Sequence, residues 1–253
     1  VFYLEKGASQ RPSKVIYDRK FTSIAQAGIQ DFDWEAIFEG AERLHITGIT
    51  PALSDTMPQV FQYAVKEAKK RGVLVSCDLN YRKNMWTEAQ AKACMEQVLP
   101  DIDLVIANEE DAEKVLDIRA AGTDVVAGKL NRDGYVDVAR QICDKYGVPE
   151  VAITLRRSIS ASANEWGALL STGGQPYFSR TYAIHIVDRV GGGDSFGAGL
   201  LYGKMKGFDP QKTVEYAAAA SCLKHSIELD FNLSTVEEVT KLMEGDGSGR
   251  VQR

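Results

Sequence analysis

Cysteine is scarce and scattered. The four cysteines of the 253-residue chain stand at 77, 94, 143 and 222 with no C-x-x-C pair, a spacing that fits neither a zinc site nor a disulfide framework. A reducing cytoplasm is the expected home, and Asn232-Leu233-Ser234 is then a chance match to a glycosylation acceptor. No stretch approaches the roughly 18 uninterrupted apolar residues of a spanning helix, so a helical membrane protein is excluded. Positive charge is not in surplus: 30 Lys and Arg against 35 Asp and Glu leave a net charge of −5. With no reservoir of cations for a phosphate backbone, nucleic acid is excluded as an expected partner. Internal repeats and low-complexity linkers are missing as well. So is an initiator Met. Val1-Phe2-Tyr3-Leu4 already reads as a strand, and the expectation is that the true start lies before it. What remains, at 44% apolar and 26% charged residues, is an ordinary globular composition. The length suits one large domain, or one domain with an appendage.

From residue 44 onward, short apolar runs alternate with longer amphipathic segments. Leu44–Gly48, Val73–Asp78, Leu104–Asn108 and Val151–Leu155 are β-rich. Between them Met57–Arg71, Thr87–Val98, Glu109–Leu116 and Asn131–Tyr146 return apolar residues every three or four positions. This alternation predicts an α/β fold with a mainly parallel sheet flanked by helices on both faces. Ligand sites of such sheets lie at the carboxyl ends of the strands, here Thr47-Gly48, Asp78-Leu79-Asn80, Asn108-Glu109 and Arg156-Arg157. Residues 1–24 break the pattern. Two strand-like runs, Val1–Glu5 and Lys14–Asp18, are joined by Gly7–Pro12 and read as a hairpin, a small β lid. After residue 190 the chain turns almost wholly helical, at Ser195–Lys206, Pro210–Lys224 and Thr235–Met243. The expected organisation is therefore a lid hairpin at 1–24, a core at 25–244 and a frayed tail at 245–253.

The most informative segment is Asp188-Arg189-Val190-Gly191-Gly192-Gly193-Asp194-Ser195-Phe196-Gly197-Ala198-Gly199. Three glycines before a helical pattern let backbone N–H groups converge at a helix N-terminus with no Cβ atoms in the way, which is an anion-binding geometry. It is not a Walker loop, because G-x-x-x-x-G-K-[ST] occurs nowhere, and Phe196 spoils a dinucleotide fingerprint. A carboxylate beside an anion hole suits phosphoryl transfer to a hydroxyl: amides hold the charge of the transferred group while the aspartate accepts the proton. An aspartate capping a helix after a flexible turn gives the same spacing, so spacing alone leaves both readings open.

The segment resembles the C-terminal signature of the ribokinase, or PfkB-type, family of carbohydrate kinases, Asp-x-x-Gly-Ala-Gly-Asp-x-Phe, with Gly192 where Ala is usual, a change expected only to add backbone freedom. Asp78-Leu79-Asn80-Tyr81-Arg82, Asn108-Glu109-Glu110-Asp111, Ile153-Thr154-Leu155-Arg156 and Lys224-His225-Ser226-Ile227 follow the order and spacing of 2-keto-3-deoxygluconate kinases within that family. The resemblance spans essentially the whole chain, while the family's opening segment with its Gly-Gly sugar-binding motif has no counterpart here. It implies a ribokinase-like fold and ATP-dependent phosphorylation of a sugar acid, 2-keto-3-deoxygluconate at its 6-hydroxyl, with Mg²⁺ and a K⁺ ion as cofactors. It also implies a homo-oligomer assembled through the lid. A family kinase for another sugar or nucleoside is the alternative, as is a non-catalytic binding descendant.

Carried over residue by residue, the resemblance makes Asp194 the base and the amides of Gly191, Gly192 and Gly193 the anion hole. Asp188 would help to hold a monovalent cation, though a loop carboxylate capping its own turn reads the same way. Asn108 and Asp111 stand in the family's Asn-x-x-Glu motif, which organises Mg²⁺ largely through water; Asp for Glu shortens the reach, and an acid-rich helix start is the competing reading. Tyr3, Tyr17, Arg19 and Arg82 would hold the sugar acid, with strand packing as the competing role of the tyrosines. Arg suits an anionic substrate because its planar fork matches a carboxylate. Arg19, two residues after Tyr17, shares a strand face with it. Asn80, Arg82, Thr154, Leu155, Arg156, Gly191, Gly193 and Asp230 would meet the nucleotide. Leu229 stands where related sequences often have Gly, which puts its backbone conformation in question. His45 and His225 are read as structural.

Overall fold

The computed structural model describes residues 1–119, 131–245 and 247. It opens with β1 (Phe2–Glu5) and β2 (Lys14–Tyr17), an antiparallel pair that stands outside the main sheet. The register sets Phe2 opposite Tyr17 and Tyr3 opposite Ile16. Two short helices follow, α1 (Ser23–Gln26) and α2 (Trp34–Phe38).

The alternating body then runs β3 (Arg43–Thr47), α3 (Met57–Lys70), β4 (Leu74–Asp78), α4 (Glu88–Glu96), β5 (Leu104–Ala107), α5 (Glu109–Leu116), α6 (Arg132–Tyr146) and β6 (Glu150–Ser158). These four strands are parallel neighbours in the order β3-β4-β5-β6. The continuous apolar text of β5 has a cause: Val105 and Ala107 enter one core cluster with α3–α6, and Leu104 and Ile106 enter a second on the opposite face. A strand buried on both faces needs no polar alternation.

The sheet is continued by a stretch for which the sequence carried no expectation. β7 (Ala163–Thr172), β8 (Gln175–Phe178) and β9 (Tyr182–His185) are antiparallel; β7 pairs along β6, then with β9 at its first half and β8 at its second. Pairing with β7 also carries β6 to Ser158, past the Leu155 where its apolar run stops. The sheet is thus parallel on one side and antiparallel on the other. The closing helices α7 (Gly192–Met205), α8 (Pro210–Lys224) and α9 (Val236–Glu244) cover the second face with Phe196, Leu200, Ala217 and Val239. Beyond Gly245 and Gly247, the expected tail at 245–253 lies outside the described residues. No helix among the described residues is long and apolar enough to cross a membrane.

Candidate active site

The carboxyl ends of β4 and β6, the start of α5, the turn before α7 and the hairpin enclose a cleft of two chambers, about 440 Å³ and about 200 Å³. They share a wall made of Asp78, Asn80, Arg82, Arg189 and Gly193. The hairpin lines only the larger chamber.

The glycine turn borders this wall. Gly191 has φ +74°, a conformation that L side chains resist, and a Cβ on it would run into the Asp230 carbonyl. Gly192 and Gly193 open α7, and Asp194 is its third residue. The first amides of a helix have no intrahelical acceptor, so this end offers N–H groups and a positive dipole to an anion. Gly193 has no neighbouring atom within 4 Å of its Cβ direction. Asp194 is exposed on the wall of the larger chamber. Gly192 does more than add freedom. A Cβ there would stand 2.7 Å from Cε1 of the buried His225 ring, which bonds the Ser221 carbonyl through Nδ1 at 2.7 Å and packs on Trp166. The expectation is corrected: Gly192 is small because His225 fills the space behind it. His45, whose Nδ1 pairs with Ser76 Oγ at 2.8 Å, likewise makes a structural bond.

On the lid side, Phe2 and Leu4 of β1 and Val15, Tyr17 and Arg19 of the second strand and its extension line the larger chamber. The Arg19 guanidinium lies 4.2 Å from the Tyr17 ring centre, so the two share a face as expected. Tyr3 does not join them. Strand side chains alternate, and Tyr3, paired with Ile16, belongs to the outer face, where it is 61% exposed. The residue facing the chamber is Phe2, whose ring lies 6.4 Å from that of Tyr17. Arg82 reaches the common wall, and its Nε is buried without a protein partner.

The smaller chamber collects Asn80, Arg82, Asn108, Asp111, Thr154 and Arg156 from the expected set. Leu155 is not among them: alternation along β6 sends it into the core, where it is 6% exposed. Asp230 lines the larger chamber beside the glycine turn, apart from Thr154 and Arg156. Asn108 and Asp111 form the capping box of α5, and the buried Asp111 carboxylate also accepts the Tyr81 N–H at 2.9 Å. Burial pushes Asp111 up to about 6 against those amide bonds. Asp78 is pushed up to about 7, first by burial and then by Asp111 and Asp194, with Arg82 opposing. Glu109, which the sequence reading left without a role, has a buried, unpartnered Oε2 on the same chamber and is also raised by burial. Arg189 was missed too. Its Nη2 donates to the Ser160 and Ala161 carbonyls, at 3.2 and 2.9 Å.

These acids bear on the divalent ion that the resemblance implies. Among the described residues no group of three or more His, Cys, Asp or Glu is arranged to hold a metal. Carboxyls crowded beside a phosphate-sized chamber, with ionisation suppressed, nevertheless suit an ion held by one or two of them together with water and substrate phosphates, as Mg²⁺ commonly is. Asp188 is different. The residue is 4% exposed, and its carboxylate accepts the N–H groups of Val190 and Leu229, each at 3.1 Å, and lies 3.3 Å from the Lys6 ammonium. The carboxylate expected to help hold a monovalent ion therefore has an amine, that of Lys6, beside it. Leu229 takes the conformation of the glycine usual there, φ +66°.

The model of the pfkB family of carbohydrate kinases matches residues 13–226. A crystal structure of 2-dehydro-3-deoxygluconokinase from Thermotoga maritima is similar with a TM-score of 0.91 and 50% identity, over 96% of this chain and 72% of that one. A 2-dehydro-3-deoxygalactonokinase of Haloferax volcanii is 28% identical over 98% of this chain and 71% of its own length. A 2-dehydro-3-deoxygluconokinase of Thermoproteus tenax is 26% identical over 83% of this chain and 57% of its own length.

Proposed function

The chain belongs to the pfkB family of carbohydrate kinases, and on that footing we propose that it transfers the γ-phosphoryl group of ATP to the 6-hydroxyl of 2-keto-3-deoxygluconate, the sugar acid also called 2-dehydro-3-deoxygluconate. One observation carries the choice of an acid over a neutral sugar: Arg19 and Arg82 face the same chamber as Asp194, and neither has a carboxylate partner within ion-pair distance among the described residues. A guanidinium that makes no ion-pair contact in a cleft is matched by an anionic ligand.

In this reading Tyr17, Arg19 and Arg82 hold the acid so that its terminal hydroxyl meets Asp194. The hydroxyl oxygen bonds to the γ-phosphorus, its proton passes to the Asp194 carboxylate, and the bond to the bridging oxygen breaks to release ADP. The amides at the start of α7 face the charge on the transferred group. Asn80, Thr154 and Arg156 flank the nucleotide, and Asp230 borders its path beside the glycine turn. Asn108, Asp111 and Glu109, together with water and the phosphates, would hold Mg²⁺, which would supply charge neutralisation. Two copies of the chain meet through the outer face of the lid, where Val1, Tyr3, Ile16 and Phe21 are all more than half exposed. The four unpaired cysteines fit a cytoplasmic home.

ADP release, followed by a coupled assay over a panel of sugar acids and neutral sugars, tests the proposal. Turnover is expected with 2-keto-3-deoxy sugar acids and little with neutral sugars. Equal rates with fructose or ribose would remove the acid-binding role of the arginines.

A further inference from the structure

The turn that presents Asp194 is strapped down by Asp188. One of its oxygens takes the Val190 N–H within the turn, and the other takes the Leu229 N–H from the loop after α8. Gly191 lies against that same loop at Asp230. The carboxylate is therefore the knot between turn and loop. A carboxylate this buried keeps its charge only with hydrogen-bond donors or a positive partner close by. Burial works against the ionised form, but the two amides and Lys6 hold Asp188 below the usual carboxylate range.

Two amines surround the knot. Lys224 is fully buried and donates through Nζ to the Ile227 carbonyl at 2.9 Å. Lys6 arrives from outside the sheet, from the lid just beyond β1, and its Nζ lies 3.3 Å from Asp188 and 2.9 Å from Glu228. The hairpin tip is seated independently. Ser9 donates its N–H to Ser162 Oγ and accepts the Ala161 N–H, and the Ala161 carbonyl in turn holds Arg189 of the same turn. The position of the lid and the shape of the turn are thus linked twice, once through charge and once through backbone.

We infer that Lys6 is a positioning residue: its ammonium is the built-in cation of Asp188, fixing the turn that carries Asp194 when the lid is seated, so that this protein turns over without a monovalent metal ion. The inference rests on the kinase reading above and replaces the K⁺ ion expected beside Asp188. Without the ammonium, the oxygens of Asp188 and Glu228 face each other across a gap that a small monovalent cation can enter. Potassium then becomes an activator of the variant where it was none of the parent.

The test compares wild type, Lys6→Met and Lys6→Arg in potassium, sodium and choline chloride at equal ionic strength. Wild-type kcat should be the same in all three salts. Lys6→Met should lose about tenfold or more of kcat in choline, the scale of one charged hydrogen bond, with a smaller change in sugar KM. Potassium should restore most of the loss, and Lys6→Arg should stay near wild type. A wild type that needs potassium overturns the inference, as does a Lys6→Met enzyme with full kcat in choline. A change confined to sugar KM also overturns it, by making Lys6 a substrate ligand. Melting temperatures form an arm that needs no turnover: potassium should raise the melting temperature of Lys6→Met and leave that of wild type unchanged, and equal responses count against the latch. Absence of ADP release from wild type with every acceptor would sink the kinase reading alone, leaving the melting arm to decide on Lys6.

Discussion

The proposal gives the proton to Asp194 alone, which makes it the sharpest single-residue test. Asp194→Asn keeps the side-chain shape at the third position of α7 and removes the proton acceptor. The expected loss is about 10²–10⁴-fold in kcat, measured by ADP release, with the melting temperature near wild type because the side chain is exposed on the cleft wall. A variant retaining more than about a third of kcat would exclude Asp194 as the base. The candidate was legible because glycines, carboxylate and helix start are consecutive in the text. The space behind Gly192 was not, because the ring that fills it belongs to His225, one helix later. Leu229 adds the converse case. The sequence marked a position that suits glycine, and the fold imposes a positive φ there on a leucine, a local cost of about 1–2 kcal/mol offset by the bond to Asp188.

Alternation within an element decides which of two adjacent residues can act, and the hairpin gives the clearest instance. The sequence marks both Tyr3 and Tyr17 for the acid, but the register turns Phe2 inward with Tyr17 and Tyr3 outward with Ile16. Replacing Tyr17 and Arg19 together by Ala should raise the sugar-acid KM about tenfold or more, since a charged hydrogen bond contributes about 1.5–3 kcal/mol, while ATP KM changes little. Tyr3→Ala should leave both constants alone and weaken self-association in sedimentation. Equal kinetic effects from the inner and outer substitutions would refute this facing. The same parity explains Leu155, which lies between two chamber residues and points into the core. At the level of elements, β5 was legible because both its faces are buried and its text is continuously apolar, and β3, β4 and β6 because short apolar-rich runs recur between amphipathic segments. The antiparallel half was not. β7 carries Asn164, Glu165 and Gly167 within its length, residues held there by pairing: Arg157 lies 3.1 Å from Glu165 across the strands, and Asn164 accepts from Arg189. Such partners are distant in sequence and leave no local period.

Across the whole molecule, acidic side chains drawn from α5 and α7 approach Asp78 of β4 from the two chambers on either side of it, and their mutual repulsion is a property of assembly that no segment displays alone. Asp78 is raised to about 7 by burial, Asp111 and Asp194, from about 3.9 in an unfolded chain. The folded state then holds the proton more tightly, so the associated stability is full below about pH 4 and is lost as pH rises through about 7. Asp78→Asn should therefore raise the melting temperature of the ligand-free protein at about pH 8, with a gain that shrinks toward pH 5. A gain independent of pH would assign it to packing instead.

The division of the cleft has a consequence for descent as well as for catalysis. The hairpin touches one chamber and contributes nothing to the other among the described residues, and it stands outside the main sheet in the topology. In the proposed reading, substitutions on its inner face would reshape the acceptor half while the smaller chamber, built on β5, β6 and α5, keeps its own contacts. On that reading, a lineage with this layout can trade one acceptor for another through a few changes in the hairpin, without rebuilding the chamber on the other side of the wall.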